Sequence, residues 1–269
     1  MDSTAVRTVT ENNIADTIID TLFINERRNI NKKISIDDIR GYISPIRDAW
    51  ANRVTYSGDN CNEKKIREVQ HIFKSLGAGV TWIVNEKQIG EKLSEKLISC
   101  GFKPARYHKV AGMIFKESQL KDIPHPEIEI EIHKAEQATI ERHIDTITRA
   151  SSLHDTEYVR YQMAYDEDIS SIVYFAYEKG NSEPIADAKS IFLENGKVHL
   201  LSGAAVLPEY RNMGVYSALL KYRINEAARK GVTTHVIQSH RNSSFSTCAR
   251  FGFIEVCSLE FYEWNPKEL

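Results

Sequence analysis

The stretch Val206-Leu-Pro208-Glu-Tyr-Arg211-Asn-Met-Gly214-Val-Tyr216 decides the fold, because it joins a strand-like run to a helix-like run. Residues 197–205 are apolar and end in small side chains, which is typical of a buried strand. Beyond the stretch, apolar residues recur at helical spacing, namely Val215, Leu219, Leu220, Ile224, Ala227 and Ala228. A helix start has unsatisfied N–H groups and a positive dipole end, and a glycine lets the backbone approach a ligand closely. We therefore expect the loop before this helix to bind a pyrophosphate.

These residues resemble the GNAT N-acetyltransferase superfamily, whose acyl-coenzyme A signature reads Arg/Gln-x-x-Gly-x-Gly/Ala after a strand. Arg211 and Gly214 match, whereas Tyr216 stands where the family usually has glycine or alanine. The run Gly214-Val-Tyr-Ser-Ala-Leu219 follows a variant found in bacterial proteins with two tandem GNAT modules. The resemblance covers about residues 128–269. It implies an α/β (α+β) fold with a mixed central sheet flanked by helices.

The same resemblance implies acetyl-coenzyme A as co-substrate. The expected coenzyme-binding residues are Val206, Arg211, Asn212, Met213, Gly214, Val215, Tyr216 and Asn242. Among them, the backbone N–H near Val206 is the implied oxyanion donor, and Asn242 would hydrogen-bond the pantetheine arm, although a helix cap is an equal alternative for it. The resemblance also implies that residues 153–165 wall the acceptor pocket, with ordinary packing as the alternative role for their tyrosines.

The catalytic candidates are His199 and Cys248. His199 is the titrating residue inside the phosphate-loop strand, with an ordinary pKa that suits proton removal near neutral pH. Two carboxylates are also considered as the base: Glu194 is expected to be solvated at a hairpin turn, and Glu157 is supported only by its place in the expected acceptor wall. Cys248 stands where many GNAT enzymes have a tyrosine that protonates the departing thiolate, so the usual acid is absent. A buried structural role is the alternative for both His199 and Cys248.

A polar run at residues 116–127, containing Pro124 and Pro126, predicts a boundary between modules 1–122 and 123–269. The first half loosely repeats the second: a strand at Val80–Val84, a helix, the pair Gly101-Phe102 and a strand ending at Phe115. No Arg-x-x-Gly segment occurs before residue 122, and we expect no glycine-bearing loop between a strand and a helix there. We therefore expect a degenerate GNAT-like or scaffolding module that lacks a coenzyme site.

Composition excludes several function classes. The net charge of −2 argues against a nucleic-acid partner. The four cysteines and nine histidines have no metal-ligand spacing, which predicts free thiols and no metal site. The N-terminus does not resemble a signal peptide and no apolar run reaches membrane length, so we expect a cytoplasmic protein without a membrane partner.

The sequence thus predicts an N-acetyltransferase in which a small-molecule or peptide amine attacks the thioester directly. A catalytically silent acyl-coenzyme A-binding regulator is the alternative, because Tyr216 and Cys248 depart from the family pattern. A protein-interaction module without ligand is a third reading. The acceptor's identity and the oligomeric state stay open at this stage.

Overall fold

The computed structural model describes residues 11–58, 61–90, 92–116, 123–151, 156–164, 169–193 and 196–266. The strands are β1 (Lys32–Lys33), β2 (Ile39–Ile43), β3 (Arg53–Tyr56), β4 (Val80–Asn85), β5 (Lys103–Lys116), β6 (Ile130–Lys134), β7 (Ser171–Glu178), β8 (Pro184–Leu193), β9 (Val198–Val206), β10 (Thr234–His240) and β11 (Ile254–Trp264). The helices are α1 (Glu11–Leu22), α2 (Glu63–Leu76), α3 (Glu86–Gly90), α4 (Leu93–Ser99), α5 (Gln137–Arg142), α6 (Ile144–Ala150), α7 (Thr156–Met163), α8 (Val215–Ala228) and α9 (Phe245–Arg250). The predicted elements on both sides of the phosphate loop are confirmed.

One continuous mixed sheet organises these elements, in the order β1-β2-β3-β4-β11-β5-β10-β9-β8-β7-β6. The pairs β3–β4 and β9–β10 are parallel, and the other neighbours described are antiparallel. Each parallel pair is linked by a crossover helix, α2 or α8, as parallel neighbours require. The expected α/β class with a mixed sheet and flanking helices is confirmed.

The two halves exchange their last strands. Strand β11 from the second half lies between β4 and β5, and β5 from the first half lies between β11 and β10. The registers are long, running from Leu259↔Asn85 to Trp264↔Val80 on one side and from Thr234↔Lys116 to His240↔Val110 on the other. The sheet therefore crosses the expected boundary without a break. The division into modules 1–122 and 123–269 stays a proposal about how the chain is organised.

The order β3-α2-β4-α4-β5 in the first half matches β9-α8-β10-α9-β11 in the second. The match extends the sequence repeat upstream to a strand, loop and crossover helix. The loop between β3 and α2 contains Gly58. The expectation that no glycine-bearing loop joins a strand to a helix in the first half is therefore wrong, although the Arg-x-x-Gly signature is absent there.

Amphipathic helices cover the sheet. Helix α1 presents Ile14, Ile18 and Leu22 to a core that includes Val110 and Cys257 on the exchanged strands. On α2, the buried residues Ile66, Val69 and Phe73 join a cluster with Trp82, Phe102 and Trp264. Residues from both halves thus share the same cores, so neither half buries its apolar surface alone.

Candidate active site

Strands β9 and β10 separate at one end of the sheet. Their parallel pairing covers Val198–Leu200 against Thr234–Val236 and stops there, although β9 continues to Val206 and β10 to His240. Strand β9 has a bulge at Gly203, because Ala188 pairs with Ala204 and Lys189 with Ser202, which leaves Gly203 without a partner on β8. Such a bulge bends the strand locally. The opening leaves residues 201–206 without a strand partner on the side that faces β10. Side chains bond the carbonyl oxygens of Ser202 and Val206, and the other backbone groups on this side can bond an extended ligand.

The predicted phosphate loop follows directly at the end of β9. It turns through a 3₁₀ helix at Pro208–Tyr210, and Asn212 and Gly214 both have positive φ, of 67° and 82°. Arg211 holds the turn in place: its Nε donates to the carbonyl oxygen of Val206 at 3.0 Å and its Nη2 to that of Ala150 at 3.1 Å. The loop is therefore fixed to both the sheet and α6.

Gly214 is constrained by packing as well as by its φ. A Cβ at this position would lie 2.8 Å from Cα of Pro126, and the backbone of Glu127 bonds to Met213 at 3.0 Å. The sequence pattern predicts that this glycine lets the backbone approach a ligand closely. In the structure, the space left by its missing side chain is taken by the segment at 126–127.

The helix that follows has an uncapped N-terminus. Gly214 is the N-cap of α8 and has no side chain to bond the first N–H groups, whereas the matching helix α2 is capped by Asn62, whose side chain accepts from the Lys65 N–H at 3.1 Å. The first turn of α8 therefore offers donors and a positive dipole end to an anion. At the start of α2, the Asn62 side chain occupies the position that an anion would take.

A cavity of about 1110 Å³ extends from this loop into the opening between β9 and β10. All eight residues expected to bind coenzyme line it: Val206, Arg211, Asn212, Met213, Gly214, Val215, Tyr216 and Asn242. Residues of the first half, among them Arg28, Trp50, Arg53 and Tyr107, also line it. Coenzyme binding by these residues stays a prediction, but the cavity brings them together.

His199 lies in the core rather than at this cavity. It is fully buried, its Nε2 is 2.8 Å from Oγ of Ser190, and its Nδ1 is 3.0 Å from Nδ1 of His235. Burial, together with nearby His235 and Arg223, lowers the pKa of His199 to about 2. A group with so low a pKa does not accept a proton near neutral pH, and a fully buried imidazole cannot contact a ligand in the cavity. We therefore replace His199 as the candidate base.

Cys248 also does not line the cavity, but it touches a residue that does. Its Sγ is fully buried, and burial raises the pKa of the thiol. The hydroxyl of Tyr216 lies 3.6 Å from this Sγ, with Ser239 Oγ at 3.7 Å. Tyr216 thus brings a hydroxyl from α8 to the helix position where the family usually has its own tyrosine.

Asp187 is a carboxylate that was not among the bases considered from the sequence, which were His199, Glu157 and Glu194. It lies on β8 opposite Ala205, is 2% exposed, and lines the cavity. Its Oδ1 is buried without a hydrogen-bond partner in the described residues. Burial raises the pKa of Asp187 to about 7, against the opposing effect of Arg223. A single acid inside the apolar run 184–193 was the signal that could have found it.

The other proposed bases fall outside the site. Glu157 is exposed on α7 and does not line the cavity, and Glu194 lies outside the described residues. Of the predicted acceptor wall at 153–165, the structure describes 156–164; Tyr158 and Gln162 line the cavity. Within the described ranges, no group of three or more His, Cys, Asp or Glu residues is arranged to hold a metal ion. No helix in the described part of the chain has the length and apolar character to cross a membrane.

Comparison with known proteins agrees with this geometry. Residues 137–253, which include the phosphate loop and Asp187, match the model of the acetyltransferase (GNAT) family. This segment is a GNAT domain. A comparison with curated protein sequences finds no match.

Solved structures share the fold of the GNAT domain and of the half that precedes it. A GCN5-related N-acetyltransferase from Kribbella flavida is 11% identical, with a TM-score of 0.65 and coverage of 96% of each chain. A second one, from Sphaerobacter thermophilus, is 14% identical, with a TM-score of 0.59 over 85% of this chain and 77% of the other. A tandem GNAT protein from the clavulanic acid biosynthesis pathway is 11% identical, with a TM-score of 0.52 over 85% and 78%. The two-module architecture therefore has counterparts among solved GNAT proteins.

Proposed function

We propose that the protein is an N-acetyltransferase that moves an acetyl group from acetyl-coenzyme A to an amine. One observation carries the proposal. The uncapped N-terminus of α8 and the unpaired end of β9 line the same cavity, and both belong to the GNAT domain. The helix end suits a pyrophosphate. The unpaired β9 edge suits the amide groups of a pantetheine arm.

When bound, acetyl-coenzyme A supplies the thioester from which the acetyl group is transferred. The chain's part is to bind the two substrates, stabilise the oxyanion and move protons. Backbone N–H groups at the end of β9, near Val206, are the proposed oxyanion donors. Arg211 holds that strand end through its bond to the Val206 carbonyl.

Asp187 is the proposed general base. Its pKa of about 7 lies near the value at which a base works well at neutral pH. Its free Oδ1 and its place opposite Ala205 put a proton acceptor one strand away from the proposed oxyanion site. The amine acceptor would donate its proton to this carboxylate.

Tyr216 is the proposed donor to the departing sulfur. Burial raises the pKa of Tyr216, so its hydroxyl stays protonated and can donate where negative charge develops on sulfur. Tyr216 and Cys248 are the two departures from the family pattern that supported a catalytically silent regulator. Their contact places the Tyr216 hydroxyl beside the position that lacks its usual tyrosine. That alternative therefore loses its main support.

Transfer is direct in this proposal, without an acetyl-Cys248 intermediate. A nucleophilic cysteine needs a lowered pKa, an activating base and access to the substrate. Cys248 has a raised pKa and is fully buried, and its hydrogen-bonding neighbours are hydroxyls.

A screen of amines with acetyl-coenzyme A, following thiol release and the mass of the product, tests the function. We expect at least one amine to be acetylated, and the Asp187→Asn variant to be slower by about 10²- to 10⁴-fold with the same coenzyme affinity. Tight coenzyme binding without acetylation of any amine would support the silent regulator instead. Failure to bind coenzyme would overturn both.

A further inference from the structure

The cavity continues past the phosphate loop into a space built by both halves. We call it the acceptor chamber and define it by Arg28, Arg53, Tyr107, Tyr158, Gln162 and His240, all of which line the cavity. Helix α7 supplies Tyr158 and Gln162, β10 supplies His240, and the first half supplies the rest. The first half is therefore part of the site, not only a scaffold for it.

The first half gives the chamber a positive charge. Arg28, Arg53 and Arg106 line the cavity, and none of the described first-half residues that line it is acidic. Arg28 is 5% exposed, and its Nη1 donates to the backbone oxygen of Tyr161 at 2.6 Å. Its guanidinium carbon lies 4.3 Å from the centre of the Tyr161 ring.

Arg53 is the member of this group whose bonding is incomplete. Its Nη1 donates to the carbonyl oxygen of Leu22 at 3.0 Å, while its Nε is buried and has no hydrogen-bond partner among the described residues. No carboxylate among the described residues pairs with it. Since a guanidinium binds carboxylate or phosphate oxygens through two neighbouring N–H groups, this side chain still has donors to give to an anion.

Two further buried atoms of the chamber have no hydrogen-bond partner in the part of the chain that the structure describes. They are Nδ1 of His240 and Nε2 of Gln162. The charge of Arg53 reaches His240: burial and Arg53 lower the pKa of this imidazole to about 4, so it is neutral at pH 7 and can donate or accept. The ring of Tyr107 stacks on it at 4.3 Å between centroids. Buried polar groups without partners in the protein are satisfied by water or by a ligand.

We propose that the acceptor amine carries a carboxylate or phosphate group, which Arg53 binds in the acceptor chamber while Asp187 receives the proton of the amine. Asp187 and Arg53 line the same cavity from different halves of the chain. The carboxylate favours an amine, and the guanidinium favours an anion. An amine with an adjacent anionic group matches both. This inference rests on the proposed acetyltransferase function.

Matched pairs of acceptors test the charge preference. Amino acids are compared with their carboxamides, and phosphoethanolamine with ethanolamine, using acetyl-coenzyme A and the wild-type chain. We expect kcat/KM to be about 10- to 100-fold higher for the anionic member of the pair that fits, the effect of hydrogen bonds to a charged group. The two pairs distinguish carboxylate from phosphate.

The Arg53→Gln variant then tests the residue. It should remove most of that preference, mainly through a higher KM for the anionic acceptor, and change the kcat/KM of the neutral acceptor and the coenzyme affinity much less. Arg67→Gln is the matched control, because Arg67 lies on α2 and does not line the cavity. Should Arg53→Gln fail to fold, the wild-type comparison still decides the charge preference.

The outcomes separate this inference from the function. Acetylation of neutral amines in preference to anionic ones overturns the inference and leaves the acetyltransferase function intact. If no amine is acetylated, the function fails, and calorimetry with N-acetyl amino acids and their carboxamides still measures the chamber's charge preference. Equal affinity for both members of each pair would overturn the inference by that route.

Discussion

The hydroxyl of Tyr216 and the thiol of Cys248 lie 3.6 Å apart, although 32 residues separate them in the chain. Each is unusual for its position in a GNAT domain. Because they meet in space, a tyrosine hydroxyl is present near the expected sulfur site in spite of the cysteine at 248. The tyrosine at 216 therefore compensates for the tyrosine that is absent at 248.

Tyr216→Phe tests this relationship. The variant removes the hydroxyl and keeps the ring, so we expect kcat to fall by about 10- to 100-fold with little change in the Kd of acetyl-coenzyme A. Tyr222→Phe is the control, since Tyr222 lies on the same helix, does not line the cavity and packs edge-on against Tyr174 at 5.7 Å. Unchanged kcat in Tyr216→Phe, with loss of activity in Cys248→Ala, would assign the proton to the thiol.

The pH dependence of kcat/KM should report Asp187. A base must be deprotonated to act, so the rate should rise as pH increases through about 7, the value to which burial raises the pKa of this carboxyl. The rise should disappear in Asp187→Asn. A profile that keeps its rise in the variant would identify another group as the base.

Coenzyme binding at the phosphate loop is best tested with Asn212→Asp. Substitution of Gly214 would confuse loss of binding with a clash at Pro126. Asn212 is exposed and has a φ of 67°, which aspartate also tolerates, so the change adds a negative charge without altering the backbone. We expect calorimetry to show about tenfold weaker acetyl-coenzyme A binding, from repulsion of the phosphates.

Asn181→Asp is the matched control for Asn212→Asp. It makes the same charge change at an exposed turn away from the cavity, and its side chain keeps an oxygen to accept from the Glu183 N–H. Equal affinity in both variants and wild type would contradict the phosphate-loop assignment.

One coenzyme per chain is the expected stoichiometry. The first half has a strand, a loop with Gly58 and a crossover helix, but the start of that helix is capped by Asn62. An anion would have to compete with the Asn62 side chain for the same N–H groups. Titration of the intact chain with acetyl-coenzyme A should therefore saturate at one equivalent, and two equivalents would reveal a second site.

Deletion of residues 1–122 should expose apolar surface and reduce solubility. The deletion removes both neighbours of β11, which are β4 and β5, and one neighbour of β10. It therefore leaves three strand edges without partners and uncovers buried residues such as Val236 and Leu259. Size-exclusion chromatography of the 123–269 segment should show aggregation. A soluble, monomeric segment with native coenzyme affinity would contradict the role we assign to strand exchange.

His199 should contribute to acid sensitivity rather than to catalysis. Its pKa is lowered in the folded state to about 2, below the ordinary value of 6.5. The unfolded chain therefore binds a proton that the folded chain does not, and the free energy of unfolding should decrease as pH falls below about 6.5. In His199→Gln the slope between pH 6 and 4 should be smaller by about 1.4 kcal/mol per pH unit, as measured by urea unfolding.

Much of the local structure could be predicted from the sequence. The apolar period marks β9 and α8, the Gly-Phe pairs mark the starts of β5 and β11, and the run at 206–216 marks the phosphate loop. These signals are local, because strand and helix periods and helix-start residues act over a few positions. The exchange of β5 and β11 was missed, since antiparallel pairing between distant strands leaves no local signal.

The sequence by itself determined the elements of a GNAT-like α/β domain and the residues of its phosphate loop. The tertiary structure alone decided which polar side chains are functional candidates. It buried His199 against Ser190 and His235. It also placed Asp187 and Arg53 on one cavity, each with a buried polar atom that has no partner among the described residues. The physical reason is that burial and nonlocal contacts set pKa values and bonding partners, and these depend on the packing of elements that are far apart in the chain.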